Sequence, residues 1–116
     1  MENRGEFGVQ ETVESDGHVR LLLVGELDHA TAQALAQRLD QLRESGSPVR
    51  LDLSELEFID SSGIRALIVG LRDARQEGWE LEVERSVSWQ VERVITVLGI
   101  DSVLWPDAAD SADGSA

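Results

Sequence analysis

The stretch from Leu51 to Ile68, LDLSELEFIDSSGIRALI, changes from a strand pattern to a helix pattern within a few residues. Apolar and polar side chains alternate from Leu51 to Ser54, as they do in a β-strand. From Ile64 onward, apolar residues recur every three or four positions, which places them on one face of a helix. The loop from Asp60 to Gly63 must therefore begin that helix, and this restricts the chain to folds in which strands feed directly into helices.

The rest of the chain shows the same alternation of strand and helix patterns. Strands are predicted over Phe7–Val13, His18–Val24, Val49–Leu53, Trp79–Glu84 and Ser102–Trp105, and helices over Ala30–Glu44, Ser62–Glu77 and Val87–Leu98. A turn at Ser15–Gly17 predicts a hairpin of the first two strands, whereas a helix between the second and third strands makes those two parallel. The prediction is a small α/β domain, with a mixed central sheet of about four or five strands and three or four helices packed over it.

A chain of 116 residues corresponds to one domain, which we place at residues 7–106. Residues 1–6 are polar and are expected to form a flexible N-terminus. Residues 107–116 are small and acidic, so they are expected to form a disordered tail.

The composition excludes several classes of function. A net charge of −13 disfavours direct nucleic-acid binding, and the absence of lysine excludes a P-loop and the usual phospho-accepting aspartate domain. Without cysteine there can be no disulfide or thiolate metal site, and the two histidines are poorly placed for a metal; no cofactor is expected. No apolar segment is long enough to cross a membrane, and the N-terminus does not resemble a secretory signal. We expect a cytoplasmic protein without enzymatic activity.

The loop before the second helix carries the most distinctive chemistry. Its hydroxyls and carboxylate can accept hydrogen bonds from the free N–H groups of the first turn, and a helix N-terminus also tolerates a phosphate on serine. Ser62 is interpreted as a helix cap, whereas Asp60 is either a cap or a partner contact. Asp28 has the same two interpretations at the first helix. Gly63 is expected to let the backbone of a partner approach closely.

Two motifs resemble those of a known family. The segment FIDSSGIRAL, within Leu51–Leu67, is similar to the signature of STAS domains, which are named for sulfate transporters and anti-sigma factor antagonists. The upstream segment GELDHATAQAL, Gly25–Leu35, resembles the second signature of that family. The agreement in order and spacing extends from about Phe7 to Trp105, and the stand-alone length resembles bacterial anti-sigma factor antagonists most closely.

The resemblance implies a phosphorylation switch. In that branch of the family, an anti-sigma factor with a GHKL-type ATP-binding fold acts as a serine protein kinase; it binds the unphosphorylated antagonist and releases the phosphorylated one. Carried onto this sequence, the phosphorylated residue is Ser61, and a phosphatase resets it. The partner-binding residues implied by the resemblance are Asp28, Asp60, Ser61, Ser62, Gly63 and Arg65.

Two other functions remain open. The chain could be a STAS accessory subunit of a membrane transport complex or of a larger signalling assembly. It could also be a small hydrolase using Ser61 with His29 and Asp28, which is disfavoured because adjacent residues at a helix start rarely orient one another for such chemistry. His18 is interpreted as a surface residue, and an exposed Trp89 would favour a partner surface.

Overall fold

The computed structural model describes residues 7–106, so the predictions for residues 1–6 and 107–116 lie outside the described residues. The strands are β1 (Gly8–Val13), β2 (Val19–Leu27), β3 (Val49–Ile59) and β4 (Leu81–Val83). The helices are α1 (His29–Ser45), α2 (Ser61–Glu77), α3 (Trp89–Leu98) and α4 (Asp101–Leu104).

The four strands form one mixed sheet in the order β1-β2-β3-β4. β1 and β2 form the predicted antiparallel hairpin, and Val13 pairs with Val19 next to the turn. β2, β3 and β4 are parallel, because α1 connects β2 to β3 and α2 connects β3 to β4. The predicted α/β class with a mixed sheet is confirmed.

The hydrophobic core lies between the sheet and the helices. In β2 the side chains that face the helices are buried, and those between them are only partly buried. α1 buries the predicted stripe of Leu35, Leu39 and Leu42, and α2 packs against α1 with its own buried stripe. Full burial of each such side chain contributes about 1.5–3 kcal/mol, so these stripes hold the helices on the sheet.

The opposite face of the sheet carries a network of ion pairs. Arg20 on β2 lies 2.6 Å from the Asp52 carboxylate and also contacts Glu84. Asp52 is only 7% exposed. Burial raises the pKa of the Asp52 carboxyl, but hydrogen bonds from Ser54 and Arg20 outweigh this effect and the net pKa is lowered. The charge on this buried carboxylate is therefore compensated.

Two strands are longer than predicted. β2 continues to Leu27 instead of ending at Val24, and β3 continues to Ile59 instead of ending at Leu53. Gly25 has a φ of 96°, and the β2–β3 pairing shifts register on both sides of this residue. These irregularities let the two strands stay paired through a segment that resembles a turn in sequence.

The prediction of a last edge strand over Ser102–Trp105 is wrong. Asp101–Leu104 forms the short helix α4, which buries Leu104 to 3% exposure. The indole N–H of Trp105 donates a hydrogen bond to the Val83 carbonyl at 2.9 Å, so this segment covers β4 without extending the sheet. Among residues 7–106, no helix has the length and apolar character needed to cross a membrane.

Candidate functional site

The parallel pairing of β2 and β3 brings the starts of α1 and α2 to the same edge of the sheet. Leu27 and Ile59, the last residues of the two strands, are register partners. The N–H of Asp60 donates a hydrogen bond to the Leu27 carbonyl at 3.2 Å. Asp28 and Asp60, which are the N-cap residues of α1 and α2, therefore follow paired strand ends.

Asp28 caps α1 in a reciprocal arrangement with Thr31. The Asp28 carboxylate accepts the Thr31 N–H at 3.1 Å, and the Asp28 N–H donates to the Thr31 hydroxyl at 2.8 Å. The hydrogen bond from the Thr31 N–H is the largest cause of a lowered pKa at Asp28. The capping interpretation of Asp28 is confirmed, while its role in binding a partner stays a prediction.

Asp60 caps α2, and the interpretation of Ser62 as the cap is wrong. The Asp60 carboxylate accepts the Gly63 N–H at 3.1 Å, and the helix already begins at Ser61. Ser62 is a residue of the first turn, and its hydroxyl lies 3.5 Å from His29 Nδ1. Because a carboxylate performs the capping, neither serine hydroxyl is needed to cap the start of the helix.

The explanation predicted for Gly63 is also wrong. Gly63 is buried, so it offers no exposed backbone to a partner. A Cβ on this residue would lie 2.7 Å from the Leu27 carbonyl oxygen and 2.8 Å from Ile59 Cγ1. Glycine is present because the first turn of α2 packs directly on the ends of β2 and β3.

Ser61 is exposed at the first position of α2, and two open grooves run along the exposed face of this helix. The α2–α3 groove is lined by Ser61, Ser62, Ile64, Arg65, Ile68, Val69, Arg72 and Leu98. The α1–α2 groove is lined by His29, Ala32, Gln33, Ser62, Arg65, Ala66 and Val69. Arg65, Ser62 and Val69 contribute to both grooves.

The sequence did not predict the contributions of Arg72 and Leu98. Arg72 is seven residues after Arg65, two helical turns on, and this spacing was a signal available in the sequence. Leu98 is 54% exposed at the end of α3 and reaches the groove only through the tertiary structure. Trp89 is 68% exposed but lies at the other end of α3 and lines neither groove.

The two histidines have different neighbours, and neither forms the disfavoured catalytic set with Ser61. His29 lies beside Ser62 rather than Ser61. The His18 side chain lies at the surface but is only 13% exposed, because it is held 2.9 Å from Glu80 and 3.1 Å from Asp16. Burial lowers the pKa of His18, but the hydrogen bond to Glu80 and the adjacent Asp16 carboxylate outweigh this effect, and the net pKa is raised. Within residues 7–106, no cluster of three or more histidine and carboxylate side chains could hold a metal ion.

Comparison with known families identifies the domain. The family model described as "Mlab, STAS domain" matches residues 11–106. The chain belongs to this STAS domain family. The match begins within β1 and ends after α4, so it includes both capped helix starts and both grooves.

Similar STAS proteins include anti-sigma factor antagonists. The anti-sigma F factor antagonist of Paenibacillus polymyxa is 29% identical over 97 residues, which cover 79% of this chain and 82% of that protein. The crystal structure of an anti-sigma factor antagonist from Mycobacterium paratuberculosis superposes with a TM-score of 0.69, at 23% identity over 92% of this chain and 94% of the other. The phosphorylated form of SpoIIAA from Bacillus gives a TM-score of 0.64, at 19% identity over 90% and 99% of the two chains. The two structural likenesses establish the shared fold.

Proposed function

We propose that this STAS protein is an anti-sigma factor antagonist that is switched by phosphorylation of Ser61. The observation that carries the proposal is that capping and modification involve different residues at the start of α2. Asp60 caps the helix, which leaves the exposed Ser61 hydroxyl without a hydrogen-bond partner among residues 7–106. A kinase can therefore modify Ser61 without removing a cap.

The surroundings of Ser61 suit a reversible switch. A phosphate adds about −1.5 to −2 charges at neutral pH. The N–H groups at the start of α2 stabilise a negative group there, so the modified protein stays folded. In the complex, the same phosphate would lie in the contact region beside Asp60 and repel a closely packed partner. The relatives named above are anti-sigma factor antagonists, and one solved protein of this fold is in a phosphorylated form.

The test is to identify a kinase partner and locate the phosphate. The protein is immobilised and incubated with lysate of its source organism with and without ATP, and retained anti-sigma factors are purified. We expect one of them to bind the unmodified protein, to transfer one phosphate to it and then to release it. Mass spectrometry should place that phosphate on Ser61. A phosphate on Ser62 alone would contradict the assignment.

Two variants and a matched control separate the switch from structural effects. Ser61→Ala should remain unmodified and should hold the partner in the presence of ATP. Ser61→Asp should bind roughly five- to 150-fold more weakly, because a like charge in a contact region costs on the order of 1–3 kcal/mol. Ser62→Ala is the control and should be phosphorylated and released like the wild type. Equal binding of both Ser61 variants would overturn the switch.

The alternative is an accessory subunit of a membrane transport complex or of a larger signalling assembly. In that case the protein would co-purify with a membrane ATPase, and ATP would not release it from its partner. The same capture experiment, carried out on detergent-solubilised membranes, distinguishes the two functions.

A further inference from the structure

The grooves along α2 differ in charge from the rest of the protein. The chain has 23 acidic and 10 basic residues, yet no aspartate or glutamate lines either groove. Arg65 lines both grooves and Arg72 lines the α2–α3 groove. Neither arginine forms an ion pair with any carboxylate among residues 7–106, whereas Arg20, Arg38 and Arg50 each pair with at least one. The two grooves are therefore cationic on a molecule that is acidic as a whole.

An apolar surface accompanies these two charges. Val69 is 38% exposed and lies between Arg65 and Arg72 along α2, and Leu98 is 54% exposed across the α2–α3 groove. A ligand that fits this surface needs apolar side chains against Val69 and Leu98, and carboxylates that reach the two guanidinium groups.

We propose that the α2–α3 groove binds an acidic segment of the anti-sigma factor. Apolar side chains of this segment pack against the groove, and its carboxylates contact Arg65 and Arg72. This inference rests on the proposed function and adds the chemistry of the partner. Ser61 lines the same groove and precedes Arg65 by four residues, one helical turn. A phosphate on Ser61 would both repel the partner carboxylates and compete for Arg65, so the groove explains how one modification at its end weakens the whole contact.

The absence of lysine in this chain gives a direct test. Arg65→Lys and Arg72→Lys each keep the positive charge and introduce the first side-chain amine. A water-soluble carbodiimide joins this amine to a carboxylate that touches it. Bonds from amines of the partner to the 23 acidic residues of this chain also form, but they form in the wild type as well and do not involve the introduced amine. The probe is the purified anti-sigma factor kinase that phosphorylates Ser61. Arg75→Lys is the matched control, because Arg75 is exposed on the same helix but lines neither α2 groove.

We expect an amide bond between the introduced amine and a partner carboxylate with Arg65→Lys and Arg72→Lys, and no such bond from the introduced amine of Arg75→Lys. Mass spectrometry should map the bond to aspartate or glutamate of the partner. Prior phosphorylation of Ser61 should abolish this bond. The double variant Arg65→Gln/Arg72→Gln should bind the kinase at least roughly tenfold more weakly than the wild type does. Its loss of affinity should be larger than that of Arg75→Gln.

The outcomes separate this inference from the proposed function. One outcome is that the kinase phosphorylates Ser61 and yet cross-links equally to the introduced amine of Arg75→Lys, or to that of none of the variants. In that case the proposal that an acidic segment binds in the α2–α3 groove is wrong, while the proposed phosphorylation switch is retained. A bond at the introduced amine of Arg65→Lys or Arg72→Lys that forms equally well without the kinase would mean that carboxylates of this chain or of a second copy occupy the groove, which also overturns the inference. If no anti-sigma factor binds and none phosphorylates Ser61, the proposed function and this inference both fail.

Discussion

The N–H of Asp60 donates a hydrogen bond to the carbonyl oxygen of Leu27, although the two residues are 33 positions apart in sequence. The bond joins the residue that caps α2 to the last residue of β2. Because Asp28 follows Leu27 directly, the same contact brings the starts of α1 and α2 together. The exposed serine, the two capping carboxylates and the cationic grooves therefore belong to one surface at one edge of the sheet.

The packing of Gly63 predicts that adding a single methyl group at this position destabilises the protein. Gly63→Ala should lower the free energy of unfolding by about 1–3 kcal/mol, because its Cβ would overlap the Leu27 carbonyl and Ile59. Gly70→Ala is the matched control in the same helix. Its Cβ would lie 3.5 Å from Leu39, an ordinary contact, so higher helix propensity should give about 0.5–1 kcal/mol of stabilisation. Urea unfolding of both variants checks the prediction, which fails if Gly63→Ala is as stable as the wild type.

The capping role of Asp60 can be separated from its charge. Asp60→Ala should destabilise the protein by about 1 kcal/mol, because the Gly63 N–H loses its acceptor. Asp60→Asn retains an acceptor oxygen and should stay within about 0.5 kcal/mol of the wild type in thermal unfolding. If Asp60→Asn is equally stable but loses the kinase partner, the charge has a second role in binding.

The buried carboxylate of Asp52 should matter more to stability than an exposed one. Asp52→Ala removes one carboxylate partner of Arg20 and the acceptor of the Ser54 N–H, and it should cost about 2–3 kcal/mol. The cost stays below that of a fully buried pair because Arg20 keeps its contact with Glu84 and is 30% exposed. Asp40→Ala removes a partner of Arg43 at the surface and should change stability by less than about 0.5 kcal/mol. Equal effects of the two variants in urea unfolding would contradict this ranking.

The contacts of His18 predict a pH dependence of stability. Its folded-state pKa is raised above the unfolded value of 6.5, so the folded state holds the proton more tightly. The stabilisation is fully present below pH 6.5 and is lost as the pH rises through the folded-state pKa. His18→Gln should therefore be more destabilising at about pH 5.5 than at about pH 8.5, measured by urea unfolding. A destabilisation that is constant or grows with pH would contradict the role of Glu80 and Asp16.

Local periodicity was sufficient to predict most of the architecture. The apolar stripes of α1 and α2, the hairpin of β1 and β2 and the parallel pairing that follows α1 are all present. Each of these depends on residues a few positions apart, or on the rule that a helix between two strands makes them parallel. The same local pattern located the start of α2 within one residue, whereas the choice of Ser61 as the candidate for modification came from the resemblance to STAS domains.

The tertiary structure decided how the site is assembled. The ends of β2 and β3, the burial of Gly63 and the approach of Leu98 to Ser61 each depend on residues more than thirty positions apart. The choice of Asp60 over Ser62 as the cap depends on where Leu27 fixes the start of the helix. A sequence shows which side chains can accept a hydrogen bond or fill a contact. Only the packed chain determines which of them is in position, because hydrogen bonds and close contacts require separations of a few ångströms.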